Sequence, residues 1–438
     1  MIAYITRKLF YGVLVLFGVV SVVFFIFNSS PGDPVRVIAG QNDSEEVLEQ
    51  IRHNLGLDLP LGKRYLLYLN DISPLSLHDT KDPESRVYLD EDQYSALEIV
   101  DFSEHRTAVL KAPYLRKSYK SNRSVSAIIS DALPGTLILA VTAILIGLTL
   151  GLIIGVLSAL KKDSYFDKVA LVISVFGMSG PSFFMAIIIA FLGGLVWHEA
   201  TILPMWPLLL LLGGIVFGAI RKSRAMKVHG VEKLPSVSKF AVIGFLLGMG
   251  VWLFGETFEA IANVDLPLTD AMLTFPGTGL EMTGSLYSVD VWKGEYLTLE
   301  NLILPALTLG IRPLGVVVQL TRSSMLEVMS MDYIRTARAK GLSEWKVVLK
   351  HALKNALNPV VTAVSGWFAS LLAGAVFVEF IFGWKGLGLE IFTSLQKEDL
   401  PVVMGSVIVI ASTFVLLNIL VDILYGVIDP RVRIGKES

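Results

Sequence analysis

Apolar residues run along this chain in long blocks and do not alternate with polar ones. A helix that crosses a bilayer needs about 20 mainly apolar residues. Eight stretches reach or approach that length: 9–27, 133–160, 169–195, 205–220, 240–261, 302–320, 359–382 and 402–427. The shortest, 205–220, holds Pro207 and becomes a full span only if Ile202 and Leu203 join it; a re-entrant hairpin is its alternative. The first run follows Arg7 and Lys8 and precedes no small-residue cleavage site, so it reads as a retained span. Ser179-Gly180-Pro181 interrupts the third run and predicts a kink, because Pro181 lacks a backbone donor and clashes one turn back.

The polar intervals orient these spans. Lys161, Lys162 and Lys168 fall on one side, as do Arg221, Lys222, Arg224, Lys227, Lys233 and Lys239. The stretch 322–354 and the tail residues Arg431, Arg433 and Lys436 fall on the same side. An excess of Lys and Arg marks that side as cytoplasmic, with both termini on it. The largest polar piece, 29–126, is then extracytoplasmic and suits a small cap with an acidic knot at Asp90-Glu91-Asp92. Within it, Val47, Leu48, Ile51 and Leu55 share a helical face behind Ser44 as N-cap, and 87–109 suits short strands. A second outer segment, 263–299, is rich in Gly, Thr and Leu and reads as loop.

Composition narrows the class. Hydrophobic residues make up 53% and charged residues 17%, against about 25% charge in a soluble domain. The chain is therefore predicted to be an all-α polytopic membrane protein. A net charge of −2 gives no sign of a nucleic-acid partner, and the absence of cysteine excludes disulfides, thiolate metal sites and cysteine nucleophiles. No phosphate-cradling Gly-x-x-x-x-Gly-Lys-Ser/Thr, no His-Glu-x-x-His and no Gly-x-Ser-x-Gly occurs. The sequence thus predicts no catalytic residue, no metal site and no cofactor in this chain. Gly383-Trp-Lys-Gly-Leu-Gly388 reads as a glycine-rich outer turn.

Two features exceed what topology requires. The stretch from Asp332 to Lys346 is polar, basic and helix-prone, with a glycine break at Gly341 and a second helix running to about 354. Reversing direction takes a few residues, and this interval uses about thirty, so it reads as a docking element for a cytoplasmic partner. Arg335, Arg338 and Lys340 supply charge, and Tyr333, Ile334, Ala337 and Leu342 supply a small apolar face. The plainer reading is a basic loop that serves topology alone. The second feature is Arg312, near the middle of the sixth run, with Gln319 two turns along the same face. A charge at that depth requires water or a partner. It either lines a pathway or forms a structural pair, and Glu379 qualifies as partner only if both lie near the outer surface. Asn418 and Asp422, four apart on the last span, read first as contacts between helices.

Four blocks of sequence carry a resemblance. They are Pro31-Gly-Asp-Pro34 with Leu55-Gly-Leu-Asp-Leu-Pro-Leu61; Leu133-Pro-Gly-Thr-Leu137; Leu304-Pro-Ala-Leu-Thr-Leu-Gly310 leading through Thr321-Arg-Ser-Ser-Met-Leu326 to 333–342; and Asp429-Pro-Arg-Val-Arg-Ile-Gly435. In this order they make the chain resemble the permease subunits of dipeptide/oligopeptide ATP-binding-cassette importers, a branch that also contains nickel permeases. The resemblance implies a type I permease core of six spans. To this the chain adds about two spans at 197–263 and an extracytoplasmic insertion after the first span. The implied division is 1–28, 29–126, 127–196, 197–263, 264–300 and 301–438, with coupling helices near 330–354. ATPase coupling falls to Tyr333, Arg335, Ala337, Arg338, Ala339, Gly341 and Leu342, and the pathway to Arg312 and Gln319. The implied partners are a second permease subunit, two cytoplasmic ATPase subunits that bind the ATP, an extracytoplasmic substrate-binding protein and the lipid bilayer of a bacterial or archaeal inner membrane. The family's Glu-Ala-Ala…Gly pattern falls on Arg335, Thr336, Ala337 and Gly341, and only the last two fit. Nickel or another small solute is the alternative cargo. A stand-alone secondary transporter is the alternative class, and its inverted repeats and paired broken helices are not seen.

Overall fold

The computed structural model describes residues 2–28, 34–39, 44–82, 85–90, 94, 96–103, 106–199, 201–229, 237–262, 272–275, 277–290 and 294–428. Most of the motif at 31–34, residues 91–92 of the acidic knot, 230–236 of the basic loop and the tail motif at 429–435 lie outside these residues. The chain divides into two compact units, Met1–Ala190 with Met282–Ser438, and Phe191–Glu281.

The larger unit opens with α1 (Ile2–Asn28), followed by α2 (Pro34–Ala39), α3 (Glu45–Asn54) and α4 (Leu61–Ile72). Strands β1 (Leu75–His78), β2 (Ala96–Ser103) and β3 (Arg106–Lys111) form an antiparallel sheet in the order β1-β3-β2. The predicted amphipathic helix is α3. Ser44 holds the extended N-cap backbone but its side chain makes no capping bond; Glu45 and Glu46 in the first turn complement the helix dipole there. The sheet inverts the usual pattern. Ser76, His78 and Lys111 are buried, while Leu75, Leu77 and Leu110 are exposed.

Next come α5 (Val125–Leu160), α6 (Tyr165–Ser179) and α7 (Ser182–Phe191). The predicted kink at Pro181 is a full break, with α6 and the helix after it meeting at 116°. Gly180 is extended, at φ −68° and ψ 133°, as the residue before a proline tends to be. The 15 residues of α6 reach about 22 Å, short of a hydrocarbon core of about 30 Å. The run at 169–195 therefore does not form one straight crossing.

The smaller unit holds β4 (Thr201–Pro204), α8 (Met205–His229), α9 (Val237–Ala262) and β5 (Met272–Phe275), with β4 antiparallel to β5. Helices α8 and α9 approach closely: a Cβ on Gly244 would lie 2.0 Å from the Leu210 carbonyl oxygen. The larger unit resumes with a hairpin of β6 (Tyr287–Asp290) and β7 (Gly294–Leu297). Strands β5, β6 and β7 thus occupy part of the segment read as loop.

Then follow α10 (Glu300–Met329), α11 (Asp332–Ala339), α12 (Glu344–Lys346), α13 (Leu353–Ala356), α14 (Asn358–Phe382), α15 (Leu387–Gln396) and α16 (Leu400–Ile428). Among the described residues, α1, α5, α9, α10 and α16 contain stretches long and apolar enough to cross a membrane. Helix α10 is the centre of the unit and packs against α5, α6 and α14. Gly147, Gly151 and Gly155 of α5 form a stripe against it. A Cβ on Gly151 would lie 2.7 Å from Val317, and one on Gly155 would lie 2.6 Å from Thr321. Small residues at such a seam let helices associate by close packing where lipid offers no hydrophobic drive.

Candidate functional site

The end of the bundle where α10 stops carries the predicted docking element. Ser330 closes α10, Met331 is extended, and α11 begins at Asp332. Gly341 breaks the path at φ +76°, a left-handed conformation that glycine adopts without strain. The chain then winds through α12, a wider π-type turn at Val347–Ala352, and α13. Two side-chain struts close this angle. Arg338 donates to Glu344 through Nε at 2.8 Å and Nη2 at 3.4 Å, and Asn355 Nδ2 donates to the Tyr333 hydroxyl at 2.8 Å.

The predicted apolar face points the other way. Ile334 and Ala337 are buried with Val156, Met325, Val328, Val347 and Val348 of this same chain, so they anchor the element and are not offered to a partner. Leu342 packs at the edge of that cluster. The exposed face carries Tyr333, Arg335, Ala339, Lys340 and Gly341. Arg338 is exposed too, but Glu344 engages it. The charge read as one group is therefore divided, with Lys340 outward, Arg335 outward with the Asp332 carboxylate 3.5 Å from its guanidinium, and Arg338 in a strut. Two residues the pattern did not single out join this face: Trp345 at 63% exposure and Leu349 at 55%. A cleft of about 370 Å³ opens beside Trp345, lined by Ala159, Leu160, Met329, Arg338, Glu344, Trp345 and Val348. An exposed tryptophan within a polar stretch was the available signal.

A buried ion pair holds this end to the bundle. Asp167 of α6 accepts from Arg322 of α10 through Nε at 2.5 Å and Nη2 at 2.7 Å. It also accepts from the Ser158 hydroxyl of α5 and from the Asp163 backbone N–H at 2.9 Å. Three helices thus converge on one carboxylate.

At the opposite end, Glu379 of α14 is fully buried and bonded to other groups than Arg312. The Thr136 hydroxyl of α5 donates to its Oε1 at 2.6 Å, and the backbone N–H groups of Gly388 and Leu389, at the start of α15, donate to Oε2 at 2.7 and 3.1 Å. The glycine run 383–388 is therefore more than an outer turn. A Cβ on Gly386 would stand 2.4 Å from the Glu379 carboxylate. Trp384 is buried, and its Nε1–H donates to the Gly135 carbonyl at 3.0 Å. The Pro134-Gly-Thr136 segment and the glycine run interlock around one side chain.

Arg312 lies on an exposed face of α10, its guanidinium 5.5 Å from the Trp367 ring of α14. It has no ion-pair partner among the described residues. Gln319, half-buried, and Ser323, exposed, continue the face about two and three turns along, so a polar stripe runs down α10. Asn418 is half-buried, and the side chain of Asp422 lies outside the described residues. No group of His, Asp and Glu able to hold a metal ion occurs among the described residues.

Comparison with known sequences bears on what such an arrangement does. Residues 147–434 match the family described as binding-protein-dependent transport system inner membrane component, and residues 1–80 match its N-terminal membrane-component family. The chain is 31% identical over 437 residues to the dipeptide transport system permease protein DppB of Escherichia coli K12, covering 100% of both chains. It is 30% identical over 435 residues to the di/tripeptide transport system permease protein DppB of Pseudomonas aeruginosa, covering 99% of each. It is 32% identical over 425 residues to the probable D,D-dipeptide transport system permease protein DdpB of E. coli K12, covering 97% of this chain and 95% of that one.

Proposed function

The chain belongs to the family of inner-membrane components of binding-protein-dependent transport systems, and from that membership we propose that it carries peptides across the membrane. It is a permease subunit of an ATP-binding-cassette importer. The peptide assignment is supported by relatives named for dipeptide and di/tripeptide transport, each matched over nearly its whole length. Energy enters through separate ATPase subunits that bind the ATP. A second permease subunit completes the pathway, and a soluble binding protein delivers cargo from outside. The end bearing α11–α13 faces the cytoplasm, as its basic residues favour.

One observation carries the coupling role: a rigid, strutted helix pair, packed onto the bundle by Ile334 and Ala337, whose outward face holds Tyr333, Arg335, Lys340 and Trp345. That face suits an ATPase groove that receives an aromatic anchor within positive charge. The polar stripe of Arg312, Gln319 and Ser323 suits a hydrated pathway, because a cation without an acid partner is costly in lipid.

ATP-driven uptake of a labelled dipeptide by the reconstituted complex tests both roles. Gly341→Pro forces φ to about −65° where +76° is required, and is expected to abolish uptake while the subunit still inserts. Arg312→Leu is expected to cut uptake at least about tenfold with assembly unchanged, since no carboxylate among the described residues is stranded. Wild-type uptake by an assembled Gly341→Pro complex would reject the coupling role. Loss of assembly in step with uptake would make Arg312 structural. Uptake of nickel in preference to dipeptide would move the cargo to the alternative.

A further inference from the structure

A second cavity, of about 370 Å³, lies where the polar region between α1 and α5 meets the ends of α1 and α16. Its polar side is formed by Arg64, Tyr68, Arg116 and Tyr119, and its apolar floor by Phe24, Phe27, Leu400 and Met404. The walls are fixed in place. The Ser21 and Tyr65 hydroxyls meet at 2.5 Å, and Phe24 packs 5.2 Å from both Tyr65 and Tyr68, which ties α4 to α1. Across the cavity, Asp399 accepts from the Ser118 hydroxyl at 2.5 Å and the Tyr119 N–H at 3.0 Å, which ties the segment before α5 to the start of α16.

The lining has unmet chemistry. Arg116 is held by Asp71 at 3.0 and 2.8 Å and lies 5.6 Å from the Tyr68 ring. Arg64 bonds only to the Asn28 side-chain oxygen and has no carboxylate partner among the described residues. Burial, with the Arg116 guanidinium nearby, holds the Arg64 pKa below its ordinary value. Tyr68 is 6% exposed, and its hydroxyl has no hydrogen-bond partner among the described residues. Leaving a buried donor unpaired is costly. The single carboxylate of the lining, Glu398, is exposed. A cation without an acid and a hydroxyl without an acceptor, facing one cavity, suit a multi-oxygen anion such as phosphate.

The floor indicates how that phosphate is carried. The apolar run of α1 ends at Phe27 and that of α16 begins at Val402, so the cavity sits level with the membrane boundary. Val22, Phe25 and Ile26, beside it on α1, are exposed. A free anion gains nothing from such a floor, whereas acyl chains do. We propose that this cavity binds the phosphate headgroup of an anionic phospholipid, with Arg64 and the Tyr68 hydroxyl holding phosphate oxygens and the acyl chains lying along α1.

The test uses the purified, delipidated transporter complex in detergent, titrated with dioctanoyl phosphatidylglycerol, dioctanoyl phosphatidylcholine or inorganic phosphate, with thermal shift as readout. Phosphatidylglycerol is expected to give a saturable upward shift, with phosphatidylcholine and inorganic phosphate each at least about tenfold weaker. Arg64→Gln is expected to weaken phosphatidylglycerol by about tenfold or more, and Arg64→Lys by less, since ammonium keeps the charge and loses the fork. Tyr68→Phe keeps the ring packing, removes only the unpartnered hydroxyl, and is expected to weaken binding several-fold. Equal affinity for inorganic phosphate would overturn the lipid assignment. Unchanged phosphatidylglycerol affinity in Arg64→Gln, or no saturable response in wild type, would overturn the site.

Discussion

Asp167 and Glu379 are both buried carboxylates, and they sit at opposite ends of the same bundle. Asp167 is matched by a full charge, the Arg322 guanidinium, with a hydroxyl and an N–H in support. Among the described residues Glu379 has no cation on it, only the Thr136 hydroxyl and two backbone N–H groups from the first turn of α15. A helix N-terminus carries a partial positive charge, so it supports an anion without a partner ion. The contrast teaches that one task, tying three helices together, has two electrostatic solutions with different failure modes. An ion pair strands a charge when broken, whereas the neutral cradle leaves only unmade hydrogen bonds.

The largest expected effect follows directly. Asp167→Asn leaves Arg322 without its counter-charge and is expected to cost the complex about 3–5 kcal/mol, read as a large drop in melting temperature of the purified assembly. Adding Arg322→Gln should recover part of the loss, because the stranded charge goes too. Glu379→Gln is expected to cost less, about 1–3 kcal/mol, with Gly386→Ala in the same range, since its Cβ collides with the carboxylate. Equal losses for Asp167→Asn and Glu379→Gln would erase the distinction.

The smallest effect sharpens the comparison at a titratable group outside the membrane. His78 is buried; its Nδ1 meets the Val87 carbonyl at 3.0 Å and its Nε2 the Ser76 hydroxyl at 3.1 Å, and no carboxylate among the described residues bonds it. Burial, then the Lys111 ammonium, pushes its pKa below the ordinary 6.5. The folded state therefore binds fewer protons than the unfolded one near that pH. Its stabilising contribution is complete above about 6.5 and is lost as pH falls from there towards the lowered folded value. Acidification from pH 7.5 to 5.5 should lower protection of the β1–β3 sheet in hydrogen exchange, and His78→Gln should flatten the change. A sheet equally protected at both pH values would show that His78 is not held neutral.

The sequence made the apolar blocks legible because block length and composition are local quantities; seven of the eight predicted runs each fall on one helix, and the run 169–195 is split between α6 and the helix after it. The bend at Pro181 was legible in position and not in size, since a proline states where a helix is interrupted but packing sets the angle. The outer sheet was nearly illegible. Leu75, Leu77 and Leu110 face outward while Ser76, His78 and Lys111 are buried, so the alternation misstates which face is the core. At the candidate site, the helix, break and helix at 332–356 could be read from propensity and Gly341. Its inward face could not, because Ile334 is buried in one cluster with Val347, Val156 and Met325, brought together by the fold. The same holds for the carboxylates. Asp167 and Arg322 are 155 positions apart, and Thr136 and Glu379 are 243 apart.

The continuity of α10 has a mechanical consequence. Its 30 residues make a rod of about 45 Å, keyed into α5 by the glycine stripe and fastened by Arg322 next to the helix pair. Such a rod works as a lever. A tilt of about 5° at one tip sweeps the other through roughly 4 Å over that length, close to the distance between neighbouring residues along a chain. Arg312 stands about 26 Å from the α11 end of that rod, so the same tilt about that end shifts it by roughly 2 Å where the polar stripe begins.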